Sequence, residues 1–233
     1  MKTEQTSRHE FKYRCTDAQL CILKNRLDNA LALDDHADVG GYSIRSMYFD
    51  NYANRYYYEN ENGTDPREKY RIRIYNGDSS RITLECKRKE HTKTQKSSCR
   101  LTMEQYQAIL RNDCAFSAQE QDTLLNKFLI LQKTQAMTPA VIVEYDRIPY
   151  VHPMGNVRIT LDRNIRSSNA FSRFFDPALP CRPLMPAAQH ILEVKYDELL
   201  PDYIKELLQL DSLQQTTFSK YYLCRKHSFG GIL

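Results

Sequence analysis

The stretch that most constrains this chain is EKYRIRIY, at residues 68–75. Successive side chains of a strand point to opposite faces, so Arg71 and Arg73 share one face with Lys69. The opposite face is formed by the apolar residues Tyr70, Ile72 and Ile74. Two guanidinium groups on one face repel each other unless an anion lies between them, and their planar forks suit carboxylate or phosphate oxygens. The stretch therefore predicts a half-buried strand whose polar face binds an anion.

Length and composition bound the class of protein. The 233 residues predict a single domain over residues 1–233, with a core at about 8–226. The seven cysteines form no CxxC pair, which favours free thiols in a reducing cytosol over a zinc site or disulfide framework. The net charge of +4 is too small to indicate nucleic-acid or membrane binding by itself. With no apolar signal core and no membrane-spanning run, we expect a cytoplasmic protein, or the soluble part of a membrane-associated system.

Alternation of polar and apolar residues predicts about eight strands, and helical spacing predicts helices between them. The clearest strands are at residues 8–15, 41–50, 68–75, 81–90, 140–150, 155–163 and 190–197. The predicted helices are at residues 18–33, 51–60, 102–110, 117–132 and 200–208. The segment around Lys93 and Lys96 is either a polar loop or a continued strand. Short turns between strands favour antiparallel pairing and an α+β fold.

Cations recur on the polar faces of these segments and outnumber the acids there. The cations are Arg8, Lys12, Arg45, Arg71, Arg73, Lys87, Lys89, Arg147, Arg158, Lys195 and Lys220; the acids are chiefly Glu10, Glu85 and Glu193. For any single strand, a solvated sheet face explains a charged side. A solvated face normally mixes lysine with glutamate, however, because like charges on neighbouring strands are destabilising. The set therefore predicts a closed antiparallel barrel with helices packed outside and a cationic interior that binds linear polyphosphate.

The carboxylates Glu10 and Glu193 each lie two residues from a lysine, and two interpretations remain open. They are either simple ion pairs or ligands of a divalent metal that bridges phosphate oxygens. Mg²⁺ and Mn²⁺ prefer oxygen ligands and often use one or two carboxylates together with phosphates and water.

Several short motifs, taken in order, resemble one known family. They are Glu10-Phe-Lys12, Arg71-Ile-Arg73, Glu85-x-Lys87-x-Lys89, Tyr145-x-Arg147, Arg158, Leu192-Glu193-Val194-Lys195 and Phe218-Ser219-Lys220-Tyr221. Together they look like the VTC domain, the catalytic module of vacuolar transporter chaperone-type polyphosphate polymerases. That domain belongs to the triphosphate tunnel metalloenzyme, or CYTH-like, superfamily. The resemblance spans roughly residues 8–226.

The resemblance implies an antiparallel tunnel barrel that uses Mn²⁺ or Mg²⁺ to transfer the terminal phosphate of ATP onto a growing polyphosphate chain. It implies phosphate-gripping cations at Lys12, Arg71, Arg73, Lys87, Arg147, Arg158 and Lys220. Further substrate-binding candidates are Arg45, Lys89, Lys96, Tyr145, Lys195 and Ser219. The metal would be held by Glu193, with Glu10 as its second ligand.

One departure from the superfamily pattern bears on the reaction. Hydrolytic tunnel enzymes typically carry E-x-E-x-K in the first strand, whereas Arg8 stands at the first acidic position here. This favours the polymerase branch over a tripolyphosphatase or nucleoside triphosphatase, which remains the alternative. A non-catalytic module that binds polyphosphate or RNA is the third possibility. ATP and polyphosphate or triphosphate are the expected partners, with no nucleic acid, and membrane-associated partner proteins are possible.

Overall fold

The computed structural model describes residues 9–38, 40–91, 93–113, 122–210 and 213–229. The strands are β1 (His9–Thr16), β2 (Ala32–Leu33), β3 (Tyr42–Asp50), β4 (Arg67–Tyr75), β5 (Ile82–Glu90), β6 (Lys93–Leu101), β7 (Thr138–His152), β8 (Val157–Ser168), β9 (Arg182–Pro183), β10 (Gln189–Tyr196) and β11 (Gln214–Gln215). The helices are α1 (Asp17–Asp28), α2 (Arg55–Glu61), α3 (Met103–Arg111), α4 (Thr123–Gln135), α5 (Asp202–Leu208) and α6 (Lys220–Ser228). None of the helices in these ranges combines the length and apolar character that crossing a membrane requires.

The strands form antiparallel ladders, which confirms the predicted α+β class. Their hydrogen-bonded order is β11-β1-β10-β8-β7-β3-β4-β5-β6, with β2 on β7 and β9 on β8. Within the described ranges, no ladder joins the end strands β11 and β6. Strand β11 contains only two residues and pairs with β1, so it offers few backbone groups for a second ladder. The predicted closure of the sheet by hydrogen bonds is therefore not confirmed.

The chain divides into two compact units. The β1 unit comprises the residues up to Ser43 together with Tyr145–Ile165 and Met185–Phe218. The β4 unit comprises Ile44–Glu144, Arg166–Leu184 and the residues from Ser219 onward. The long strands β7 and β8 contribute residues to both units.

Helix α1 supplies the helical side of the β1-unit core. Its N-terminus is closed by a capping box, in which the Thr16 hydroxyl accepts from the Gln19 amide and the Gln19 side chain accepts from the Thr16 amide. Leu23 and Leu27 are fully buried against the strands. The helix ends at Asp28, so the prediction that it continues to residue 33 was wrong. Its last predicted residues form β2 instead, because their backbone pairs with β7.

In the β4 unit, the alternation of β4 is confirmed. Tyr70, Ile72 and Ile74 are all fully buried on the apolar face. Helix α2 begins where the buried Asp50 carboxylate accepts from the amides of Tyr56 and Tyr57. Helix α4 begins at Thr123 with an Asp122 cap, while the predicted start at residues 117–121 lies outside the described residues. These helices cover the apolar face of β4, where Tyr56 and Phe128 contact Tyr70. The polar face of β4 carries Lys69, Arg71 and Arg73.

Gly41 yields a prediction about the loop between β2 and β3. Its φ is +82°, and a Cβ added there would lie 2.0 Å from the backbone oxygen of Arg147. Because an L-residue strains this conformation and the clash is with backbone, Gly41→Ala should lower the free energy of unfolding by at least about 1–2 kcal/mol. Gly40→Ala is the matched control, since nothing lies within 4 Å of its added Cβ. Equal free energies of unfolding for the two variants in urea titrations would show that Gly41 is not required at this position.

Candidate functional site

In the β1 unit, strand register collects four charged side chains and a hydroxyl on one face. Lys12 is paired with Glu193 and Glu10 with Lys195 across β1 and β10, and Glu193 is paired with Thr160 across β10 and β8. Directly paired residues of antiparallel strands project to the same face. We call this group, with Arg147 of β7, the Glu193 cluster.

Cations surround the Glu193 carboxylate. Lys195 Nζ lies 3.0 Å from Oε1, and Lys12 Nζ lies 3.6 Å from the same oxygen. Arg147 Nη2 lies 3.4 Å from Oε2. Burial raises the pKa of Glu193, but the cations, led by Lys195, outweigh it and hold this pKa well below its ordinary value. Glu193 is therefore both buried and ionised at neutral pH.

Arg147 is held in place by a residue that the sequence did not single out as part of the site. Its Nε and Nη2 donate to the two oxygens of Asp162 at 2.7 and 2.8 Å, and Asp162 is fully buried. The guanidinium also lies 5.3 Å from the centre of the Tyr145 ring. This bidentate pair fixes the plane of the guanidinium. Residues 158 and 162 of a strand share one face, so the alternation that points to Arg158 is also the signal that could have found Asp162.

The two lysines of the cluster respond differently to burial. Burial lowers the pKa of Lys195, and this effect exceeds the attraction of Glu193. In Lys12, the effect of burial is outweighed by Glu193 and Glu10, so its pKa is raised. Lys12 Nζ lies 2.8 Å from Glu10 Oε1 and donates to the Phe218 carbonyl at 3.0 Å. Lys12 is thus a firmly positioned ammonium ion.

Arg158 is paired with Lys195 in the ladder, but its guanidinium reaches the loop after β2. There Nη2 donates to Asp34 at 2.6 Å and to the Tyr42 hydroxyl at 3.4 Å. The pairing with Asp34 was not predicted, because it depends on the position of a loop.

The donor set of the Glu193 cluster fits a small divalent cation. Lys12 Nζ lies 2.8 Å from Glu10 Oε1 and 3.6 Å from Glu193 Oε1, so the two carboxylates flank one ammonium group. The buried Thr160 hydroxyl on the same face has no hydrogen-bond partner among the described residues. Over those residues, no group of three or more His, Cys, Asp or Glu side chains could hold a metal. The fit is therefore to a metal that takes its remaining ligands from substrate and water, as Mg²⁺ commonly does.

A second group of charges lies on the polar face of the β4 unit. Register aligns Tyr48, Arg71 and Glu85 across β3, β4 and β5, and aligns Ser46 with Arg73 one step along β4. With Lys96 of β6, these residues form what we call the Glu85 cluster.

Glu85 is the anion at its centre. Its Oε2 accepts from Arg71 Nε at 2.7 Å and lies 2.6 Å from Arg71 Nη2, while Lys96 Nζ lies 2.6 Å from Oε1. Arg73 Nη1 is farther away, at 3.9 Å from Oε2. Two further donors are oriented by neutral groups, with Arg71 Nη1 bonded to the Tyr48 hydroxyl and Arg73 Nε to the Ser46 hydroxyl. The adjacent guanidinium groups predicted from EKYRIRIY thus share a protein carboxylate.

The ionisation of Glu85 predicts acid sensitivity. Burial raises its pKa, but Arg71, Arg73 and Lys96 outweigh this and lower it to about 2. A depressed carboxyl pKa stabilises the fold fully above the unfolded value of about 4.5, and this contribution is lost as pH falls towards 2. The difference corresponds to about 3 kcal/mol. We expect the free energy of unfolding to fall more steeply between pH 5 and 2 in the native protein than in Glu85→Gln. Parallel urea titrations would show equal slopes if this were wrong.

Further along the same face, register places three lysines side by side. Lys69, Lys87 and Lys96 are aligned across β4, β5 and β6. Lys87 and Lys96 are exposed, as is Lys89, one step along β5. Like charges directly opposite each other destabilise a sheet, so a purely structural role does not explain this lysine row. A surface that binds anions does, because a bound anion relieves the repulsion.

The predicted residues Ser219 and Lys220 lie at the start of α6 in the same unit. Lys69 Nζ donates to the Ser219 hydroxyl at 3.1 Å and to Asn60 at 2.5 Å. Ser219 also caps α6 by accepting from the Tyr222 amide, and Lys220 is the first helical residue. The helix start is thereby attached to the lysine row.

The placement of Arg45 on the cationic face was wrong. Arg45 is paired with Ile74, so it projects to the face opposite Arg71 and Arg73. There it is buried, donates twice to the Glu144 carboxylate at 3.2 Å, and donates to two backbone carbonyls. Its charge is satisfied within the protein.

Comparison with known proteins defines first the class of fold. A solved structure of a putative adenylyl cyclase from Hippeastrum, reported to have a dominant triphosphatase activity, has a TM-score of 0.57 and 14% identity, covering 96% of each chain. A putative adenylate cyclase from Bacillus halodurans has a TM-score of 0.46 and 11% identity, covering 87% of this chain and 88% of its own. At 14% identity, the likeness to the Hippeastrum structure concerns the fold alone.

The family follows from the sequence. The VTC domain model matches residues 7–229, so the chain belongs to the VTC domain family. The resemblance drawn from the short motifs is thus confirmed. A search of the curated proteins found no match.

Proposed function

We propose that this protein is a metal-dependent polyphosphate polymerase, which transfers the terminal phosphate of ATP onto a growing polyphosphate chain. The observation that carries the proposal is the cationic face of the β4 unit. Its cations extend from Arg73 to Arg67, a run of about 20 Å at the usual rise of a strand. Such a length suits an extended polyanion better than a single phosphate group. Membership of the VTC domain family supports the same substrate class.

Each cluster has a separate part in this proposal. Arg71, Arg73 and the lysine row would hold phosphate oxygens of the chain. In the Glu193 cluster, Arg147 would contact the transferring phosphate in the orientation set by Asp162. Fixed donors of this kind stabilise charge that develops in the transition state, because they need not reorganise during the reaction.

Glu193 and Glu10 would hold the divalent ion, Mn²⁺ or Mg²⁺. Such an ion would neutralise charge on the phosphate oxygens. No nucleophilic side chain is required, because a terminal phosphate oxygen of the acceptor attacks and ADP leaves. Lys12 and Lys195 flank the carboxylates and would balance the charge of the bound phosphates.

The proposed setting is the cytoplasm. The described cysteines form no disulfide with one another, which is the usual state in a reducing compartment. Membrane-associated partner proteins are part of the same proposal, in keeping with the family resemblance.

Hydrolysis of tripolyphosphate or nucleoside triphosphates is the second candidate, favoured by the triphosphatase activity reported for the Hippeastrum structure. One experiment separates the possibilities. The purified protein is incubated with ATP and Mn²⁺, and the products are resolved on a polyacrylamide gel. A ladder of long polyphosphate supports the polymerase, and orthophosphate alone supports the hydrolase. Tight binding of polyphosphate without turnover would identify a binding module.

A further inference from the structure

Glu85 occupies an unusual position for a buried carboxylate. It is 3% exposed, and three cations of the Glu85 cluster converge on its two oxygens. Lys96, half of whose side chain is exposed, bends inward to reach it at 2.6 Å. One negative charge is therefore shared by three positive charges. The net charge of Arg71, Arg73, Lys96 and Glu85 together is +2.

The donors that Glu85 occupies are the ones a phosphate would use. Arg71 presents Nε and Nη2 to one carboxylate oxygen, in the fork geometry that also suits phosphate oxygens. A phosphate entering this group must share or displace those contacts. It also meets the repulsion of a carboxylate that stays ionised, because the surrounding cations lower the pKa of Glu85.

We propose that Glu85 is an internal competitor for substrate phosphate, which weakens the grip of Arg71, Arg73 and Lys96 so that a charged chain can move and leave. Glu85 acts through these cations and is a positioning residue. The inference rests on the proposed function only in assuming that the three cations bind phosphate. It assigns to Glu85 a role opposite to that of Glu193, which would attract substrate through a metal.

The charge of Glu85 can be separated from its shape. Glutamine has the same size and keeps a carbonyl oxygen that can accept from Arg71, so Glu85→Gln mainly removes the negative charge. The matched control is Glu144→Gln. Glu144 is also a buried carboxylate of the β4 unit, and it is held by two arginines, Arg45 and Arg166, on the opposite face.

The test measures binding of inorganic tripolyphosphate by calorimetry without divalent metal, over a series of salt concentrations. We expect Glu85→Gln to bind at least about fivefold more tightly than the native protein, with a steeper salt dependence. Glu144→Gln should bind like the native protein. In turnover with ATP, Glu85→Gln should lower KM and kcat together, because product leaves more slowly.

A second variant tests whether net charge explains the gain in affinity. Glu85→Gln combined with Lys96→Met restores the net charge of +2, so the gain in affinity should be largely reversed. The inference is overturned if Glu85→Gln binds no more tightly than the native protein, or if the double variant retains the whole gain. Failure of the native protein and Glu85→Gln alike to bind tripolyphosphate would remove the proposed function and the inference with it. Native binding that is unchanged in Glu85→Gln removes the inference alone.

Discussion

Glu193→Gln should lower the rate of polyphosphate formation from ATP by at least about a hundredfold. The glutamine fills the same space but carries no charge, so Lys12, Lys195 and Arg147 lose the anion that they share. The proposed metal would lose its principal ligand at the same time. The rate is measured as polyphosphate formed over time with ATP and Mn²⁺, and binding of Mn²⁺ is measured separately by titration. We expect both to be impaired.

Loss of stability must be separated from loss of chemistry in this experiment. Removing one member of a buried ion pair costs about 3–5 kcal/mol in typical cases. Glu144→Gln provides the control, since it also removes a buried, arginine-paired carboxylate but lies outside both clusters. A folded Glu193→Gln protein that makes polyphosphate at the native rate would show that Glu193 is not part of the site.

The fold could be predicted from the sequence where local pattern decides the structure. The alternation in β4 predicts which side chains are buried, and Tyr70 and Ile72 are buried as predicted. The closure of the sheet could not be predicted in the same way, because it depends on hydrogen bonds between strands far apart in the chain. The predicted end of α1 was wrong for a related reason. Pairing of Ala32 and Leu33 with β7 overrides the helical spacing of their apolar side chains.

Prediction of the site was limited by the same distinction between pattern and pairing. Alternation in β10 brought Glu193 and Lys195 to one face. It failed for Arg45, because nearly every residue of β3 is buried and both faces of this strand therefore carry packed side chains. Asp162 and Asp34 were not recognised as partners of the arginines, since strand register and loop position select partners. A sequence can thus identify the cations, while their counter-ions require the structure.

Arg71→Lys should lower the rate of polyphosphate formation by about a hundredfold, although the positive charge is kept. Arg71 bridges Glu85 and the Tyr48 hydroxyl through different nitrogens of one planar group. An ammonium group is a point charge without this fork, so it cannot hold both contacts and also present a donor in a fixed direction. We expect kcat to fall more than the affinity for tripolyphosphate, because the charge that attracts the chain remains while its alignment is lost. Steady-state rates and calorimetric binding would be measured on the same preparation.

Arg166→Lys is the matched control for this change. Arg166 is also a carboxylate-paired arginine of the β4 unit, bonded to Glu144 at 3.0 Å on the face opposite Arg71. If general packing of arginine were what mattered, both variants would lose activity to a similar degree. If the direction of the guanidinium donors on the cationic face is what matters, only Arg71→Lys loses activity. Native kcat in a folded Arg71→Lys protein would mean that this face supplies charge alone, and that the chemistry depends on the Glu193 cluster.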